Sequence, residues 1–126
     1  MRKITLDWQG YYDYTEDNVL ARAPTNAGVY KIGVKLKNGN IRVCYVGQAN
    51  DLERRLREHL DLDNEQNECL VEQLKKYITK FSFAKVSTKS DRDGAEKALY
   101  THYGPECNDG NAIPNEPDVE INPRNE

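Results

Sequence analysis

Gly28-Val29-Tyr30-Lys31-Ile32-Gly33-Val34-Lys35-Leu36-Lys37-Asn38-Gly39-Asn40-Ile41-Arg42-Val43-Cys44-Tyr45-Val46-Gly47 decides how this chain folds. Tyr30, Ile32, Val34 and Leu36 alternate with Lys31, Gly33, Lys35 and Lys37, the period-two signature of a half-buried strand. Asn38-Gly39 is the pair preferred in a tight type I′ turn. Ile41, Val43 and Tyr45 then continue the alternation on a returning strand. The stretch therefore predicts a β-hairpin carrying a tyrosine on each arm.

Outward from the hairpin, Asn50 is the expected cap of a helix, with Glu53 three residues on completing a capping box. Leu52, Leu56 and Leu60 recur at i, i+4, i+8 as its apolar stripe, and Arg55 and His59 form a neighbouring one. A polar loop from Asp61 to Asn67 precedes a second helix with Leu70, Val71, Leu74, Tyr77 and Ile78 on one face. Phe81 to Val86 reads as a third strand. Ser90 is the expected cap of a last helix, with Ala95, Leu99 and His102 or Tyr103 inward, and Gly104-Pro105 stops it. Upstream, Ile4 to Trp8 alternates like a short edge strand, and Glu16 to Ala23 gives one or two helical turns. The expected architecture is an α/β (α+β) domain: a small mixed, largely antiparallel central sheet of about three strands flanked by helices.

At 126 residues the chain is one domain. Residues 1–108 hold the periodic segments. Residues 109–126 form an acidic, proline-containing tail with no apolar period, expected to be extended or partly disordered. The net charge of −3 is unevenly spread: residues 104–126 carry −5 and residues 1–103 carry +2. A mildly basic body permits phosphate binding but predicts weak, salt-sensitive affinity. No apolar run approaches the ~20 residues of a membrane span, and the amino terminus lacks the pattern of a signal peptide. Cys44, Cys69 and Cys107 are an odd number without Cys-x-x-Cys spacing, so neither a disulfide framework nor a zinc site is expected, and the cytoplasm is the simplest home.

The residues that can carry chemistry are Tyr30, Tyr45, Arg55, His59, Glu96 and Asn108. Arg55 offers a permanently charged fork for phosphate oxygens. Glu96 is a hard oxygen ligand suited to Mg²⁺ or Mn²⁺, and Mg²⁺ commonly takes only one or two protein carboxylates. The two phenols can orient water or phosphate, but a tyrosine pKa near ~10 makes a neutral-pH base of either one only with help from a neighbour. His59 titrates near neutrality and can relay a proton. Each residue alone has an ordinary structural explanation. Their order and spacing together do not.

That order resembles the GIY-YIG nuclease family, over roughly Ala27 to Asn108. Gly28-Val29-Tyr30 and Tyr45-Val46-Gly47 match its two tripeptides, with valine for isoleucine in both. Arg55 and Glu96 fall where the family has its arginine and metal-binding glutamate, Asn108 where it has an asparagine, and His59 where tyrosine or histidine occurs. The resemblance implies a metal-dependent endonuclease that cuts DNA by water attack, leaving 5′-phosphate and 3′-hydroxyl ends. It implies Tyr30 as general base and Tyr45 positioning water or phosphate. Arg55 would stabilise charge, His59 relay a proton, Glu96 hold one divalent ion and Asn108 order the floor of the site. Lys31, Gln48, Arg54 and Arg57 are candidates for backbone contacts to DNA. The competing expectation is a nucleic-acid-binding module that keeps the fold without the activity. Two features depart from the family: fourteen residues separate the two tyrosines, a longer hairpin than usual, and Gln48 stands where repair-type relatives commonly have lysine. Single-stranded, duplex and branched DNA all stay open as substrates, as do a homodimer and a recruiting protein partner.

Overall fold

The computed structural model describes residues 1–122. The last four residues of the acidic tail, and the expectation made for them, lie outside the described residues. In chain order the elements are β1 (Arg2–Ile4), β2 (Gln9–Asp13), α1 (Glu16–Arg22), β3 (Gly28–Lys35), β4 (Ile41–Ala49), α2 (Leu52–Leu60), α3 (Glu68–Lys76), β5 (Thr79–Lys85), α4 (Lys89–Tyr103) and β6 (Val119–Ile121), with a 3₁₀ turn at Gly110–Ala112. The central sheet is four-stranded and antiparallel, in the order β2-β5-β3-β4. The strand that the sequence reading missed is β2, whose register shifts between Gly10 and Tyr12 and so breaks the alternation a strand would show.

Two apolar cores sandwich the sheet. Tyr30, Ile32 and Val34 of β3 face one side, where Val19 of α1, Leu52 and Leu56 of α2 and Leu70 of α3 cover them. Val29 of β3 and Val43 and Val46 of β4 face the other, under Ala95 and Leu99 of α4. The expected half-buried β3 is therefore buried on both faces, because α4 packs where solvent was anticipated. This geometry also buries Lys31, which is 0% exposed. Its ammonium sits 4.2 Å from the centre of the Trp8 ring and donates to the Tyr103 hydroxyl at 3.0 Å.

The hairpin differs from its expected turn. Gly39 alone among the loop residues has a positive φ, +89°, whereas a type I′ turn needs two. Gly39 N–H donates to Leu36 C=O at 3.0 Å and Leu36 N–H to Asn40 C=O at 2.8 Å, giving a three-residue loop. Asn38 Oδ1 accepts from Asn40 N–H at 3.0 Å and supports the chain reversal. On β4, Cys44 is the extra residue of a bulge, between the pairs Ile32–Tyr45 and Gly33–Val43.

Both expected helix caps shift. Asp51 rather than Asn50 caps α2, accepting from Arg54 N–H at 3.0 Å, while Asn50 Oδ1 accepts from Arg92 at 3.3 Å. Thr88 rather than Ser90 caps α4, accepting from Asp91 N–H at 3.3 Å. α3 ends at Lys76, so Tyr77 and Ile78 lie outside its apolar face and are exposed.

The tail holds regular structure that its composition concealed. β6 pairs in parallel with β1, and Asn122 bridges to Leu6 through Oδ1 (2.6 Å) and Nδ2 (2.8 Å). Lys97 of α4 donates to Glu116 C=O at 2.7 Å and pairs with Asp118 at 2.9 Å. The cysteine expectation is also corrected: Cys69 and Cys107 form a disulfide, and Cys44 is a buried free thiol. The fold brings the start of α3 against the loop after α4, a proximity that spacing could not reveal. With that bond present, the cysteines no longer argue for a reducing compartment. No helix among the described residues is long and apolar enough to cross a membrane.

Candidate active site

β4 is an edge strand of the central sheet, and the candidate site is built around it. Tyr30 pairs with Gly47 across the β3–β4 ladder. A Cβ at position 47 would lie 2.5 Å from Tyr30 Cζ and Oη, so only glycine lets the Tyr30 ring lie across this strand. The first glycine-tyrosine motif thus depends on the last glycine of the second.

α2 delivers His59 to the two phenols. Leu52, Leu56 and His59 are its buried residues, so the stripe that packs the helix carries the imidazole with it. Tyr30 Oη lies 2.7 Å from His59 Nε2. The Tyr45 ring meets His59 edge-on with centroids 5.3 Å apart. Arg55, one turn before His59, is half-buried, bonds Glu58 at 3.3 Å and favours the ionised form of both tyrosines. Burial pushes the Tyr30 phenol well above its ordinary range, and Tyr45 less so. A lone Tyr30 phenolate at neutral pH is thus unfavourable, and the hydroxyl instead has His59 as its proton partner.

The other side of His59 meets a residue that the sequence reading missed. Glu65, in the polar loop after α2, places Oε1 2.5 Å from His59 Nδ1. Its Oε2 accepts from Asn67 N–H at 3.0 Å. Nothing in the sequence separates Glu65 from the other acids of that loop.

Glu96 approaches from α4, on the opposite face of the sheet. Burial holds its carboxyl above the usual carboxylate range, against a smaller lowering by the Gln48 amide. Gln48 Nε2 donates to Glu96 Oε1 and to Asp93 Oδ1, both at 2.7 Å. Asp93 is a second missed acid, although its i, i+3 spacing before Glu96 on one helix was a usable signal. The donor set suits Mg²⁺ or Mn²⁺: a half-buried carboxylate with a single protein hydrogen bond, oxygen ligands only, and water free to complete the shell. Among the described residues there is no group of three His, Cys, Asp or Glu side chains that could hold an ion unaided.

Asn108 works on the backbone. Its Oδ1 accepts from Val46 N–H at 2.9 Å and its Nδ2 donates to Val46 C=O at 2.8 Å. The side chain thereby pairs with the open edge of β4 between Tyr45 and Gly47, as a neighbouring strand would. Of the four expected DNA contacts, Arg54 and Arg57 are exposed on α2, with Arg57 paired to Glu53 at 3.4 Å. Gln48 faces Glu96. Lys31 is corrected: it lies buried among aromatic rings on the α4 side and cannot reach a phosphate from there.

This arrangement has known counterparts. Residues 26–109 match the family model described as the GIY-YIG catalytic domain. Comparison with solved structures finds the GIY-YIG N-terminal endonuclease domain of UvrC from Thermotoga maritima. Its magnesium-bound form is 27% identical with a TM-score of 0.56, the match covering 74% of this chain and 93% of that one. Two point mutants of the same domain, each replacing a tyrosine by phenylalanine and bound to the catalytic divalent cation, match at 27% identity and TM-score 0.56 and at 26% and 0.54. They cover 74% of this chain and 92% of theirs. Comparison with curated proteins finds no match. The chain belongs to the GIY-YIG family.

Proposed function

We propose that this protein is a divalent-metal-dependent endonuclease that hydrolyses DNA phosphodiester bonds to 5′-phosphate and 3′-hydroxyl ends. One observation carries the reading: Tyr30, Tyr45, Arg55 and His59 converge at the β4 edge, with the Glu96 charge acting on both phenols.

Arg55 binds the non-bridging phosphate oxygens and opposes the charge that builds on them in the transition state. Tyr45, partly exposed and beside Arg55, orients the phosphate or the water. Tyr30 takes the proton of the attacking water as its own passes to His59, so no free phenolate is needed. Glu96, held by Gln48, is the residue that would bind one Mg²⁺ or Mn²⁺. A divalent ion bound there supplies Lewis-acid stabilisation of the phosphate and the leaving oxygen. Asn108 fixes the strand that bears Tyr45. Arg54 and Arg57, exposed on α2, contribute to binding of the DNA backbone, and Gln48 acts through Glu96.

The test is cleavage of labelled single-stranded, duplex and branched DNA by the full chain with Mg²⁺ or Mn²⁺, against Arg55→Ala and Glu96→Ala. The wild type is expected to cut at least one substrate, and both variants to lose at least ~100-fold in rate. Binding without metal-dependent cleavage on every substrate would overturn the enzyme reading and leave a binding module.

A further inference from the structure

We propose that Glu65 is a positioning residue for proton transfer: it fixes the tautomer and aim of the His59 ring, so that Nε2 faces Tyr30 as a bare acceptor. The inference rests on the nuclease reading above and adds a residue to it.

A neutral imidazole has one N–H and one lone pair, and an ionised carboxylate can only accept. Burial alone would raise the Glu65 carboxyl, but the Asn67 N–H and His59 outweigh it and hold the carboxyl below its ordinary range. The 2.5 Å contact to Nδ1 therefore places the imidazole proton on Nδ1. Nε2, 2.7 Å from Tyr30 Oη, is left as the acceptor of the phenol proton. The opposite tautomer would set the Nδ1 lone pair against Glu65 Oε1 inside a dry site, with no proton between them. The His59 side chain is 1% exposed and that of Glu65 7%.

Charged and titratable groups face the imidazole from several elements. Tyr30 comes from β3, Tyr45 from β4, Arg55 and Glu58 from α2, and Glu65 from the loop. Only Glu65 among these is both an acceptor and in contact with Nδ1. Burial lowers the His59 pKa, and Glu65 works against that lowering. The ring is therefore neutral when it must accept and is supported once it becomes charged.

Glu65 is itself held in place. Asn67, whose N–H binds its second oxygen, caps α3 by accepting from Leu70 N–H at 3.1 Å and donates to Cys107 C=O at 2.9 Å. Asp61, Asp63 and Asn64 of the same loop are exposed, so Glu65 is the acid this loop turns inward.

In the step itself, a water O–H bond breaks and its proton goes to Tyr30 Oη. The Tyr30 proton passes to His59 Nε2, and the imidazolium keeps its Nδ1–H on Glu65. The hydroxide oxygen bonds to phosphorus, and the bond to the 3′ oxygen breaks with its electron pair. The released alkoxide takes a proton from solvent, and the imidazolium returns its own to solvent.

The test compares the full-length wild type with Glu65→Gln, in the His59 background and in His59→Tyr. Nitrogen-15 NMR of the imidazole is expected to show Nδ1 protonated and Nε2 bare in the wild type. In Glu65→Gln, whose amide can either donate or accept, that preference is lost and the His59 pKa falls further. With Mg²⁺, kcat is expected to fall ~100-fold, the low end of what a positioned base contributes, with KM unchanged. In His59→Tyr, which has no tautomer to fix, Glu65→Gln is expected to cost nothing more. Unchanged tautomer populations in Glu65→Gln would overturn the proposal, and so would an equal loss in both backgrounds, which marks a merely structural loop residue. If His59→Tyr does not fold, the NMR arm decides. A wild type that cuts no substrate counts against the nuclease reading, while the tautomer measurement still judges Glu65.

Discussion

Reducing the Cys69–Cys107 disulfide should lower stability sharply and loosen the floor of the site. The bond joins residues 38 apart in sequence. Loop-closure entropy for a cross-link of that span is worth about 4 kcal/mol, a large share of the roughly 5–15 kcal/mol typical of a domain. With an unfolding entropy of about 0.26 kcal/mol/K for a chain of this length, the melting temperature should drop by about 15 °C. Function is tied to the same bond by three contacts. Cys107 N–H donates to Cys44 C=O at 2.9 Å, Asn67 donates to Cys107 C=O, and Asn108 clamps Val46. Losing the cross-link frees both the loop that holds Glu65 and the side chain that pairs with β4.

The assay is thermal unfolding followed by circular dichroism, with and without reductant, on the wild type and on the Cys69→Ser/Cys107→Ser double variant. Thiol titration of the unfolded, unreduced protein should count one free cysteine, Cys44. The oxidised wild type should melt about 15 °C above its reduced form, and reductant should not move the double variant. Three titratable thiols would refute the pairing. A shift under ~3 °C in protein shown to be oxidised would refute the argument that the cross-link carries this much stability.

Three further outcomes follow from the geometry. Gly47→Ala puts a Cβ 2.5 Å from the Tyr30 ring, so the phenol must move, and single-turnover cleavage should slow by about 100-fold; a fully active variant would show that Tyr30 does not need this position. Glu96→Gln removes a carboxylate whose pKa burial raises. In chelator the Glu96 contribution to wild-type stability therefore fades as pH climbs above the ~4.5 of an unfolded glutamate, a loss absent from the variant; the variant should melt higher at neutral pH but gain nothing from Mg²⁺, and a magnesium-induced shift in the variant would exclude Glu96 as the ligand. Truncation after Asn111 removes β6 and the Asn122 bridge to Leu6, so calorimetry should show a lower melting temperature; an unchanged melt would mean the tail adds nothing to the fold.

The hairpin, α2, α4 and the order of the six motif residues were legible in sequence because local rules write them. Alternation marks a strand, i, i+4 leucines mark a helix face, and Gly104 at φ +55° marks a helix end. What failed were features that local rules do not govern. β2 was hidden by its register shift. Lys31 is expected at the DNA because strand alternation cannot know that α4 will cover its face. The cap of α2 moves to Asp51 while Asn50 is taken by Arg92 from across the fold. β6 was missed because a three-residue strand has no measurable period, and its partner lies at the opposite end of the chain.

The site divides along the same line. Tyr30, Tyr45, Arg55, His59 and Glu96 sit on β3, β4, α2 and α4, where spacing announces them, while Asn108 lies beyond the end of α4. The groups that hold them sit in loops or across the sheet: Glu65 behind His59, Asn67 behind Glu65, Gln48 behind Glu96. Gln48 makes the point most clearly. Read along the chain, a neutral residue where the resemblance leads one to expect lysine signals a missing charge. In the structure Lys89, at the start of α4, places its ammonium 3.2 Å from Gln48 Oε1 and 2.5 Å from Asp93. A cation thus returns to the neighbourhood from 41 residues away, while the amide it touches still holds Glu96. The positive charge beside position 48 thus sits on the helix that carries the metal-ligand candidate, and Gln48 bridges the two carboxylates.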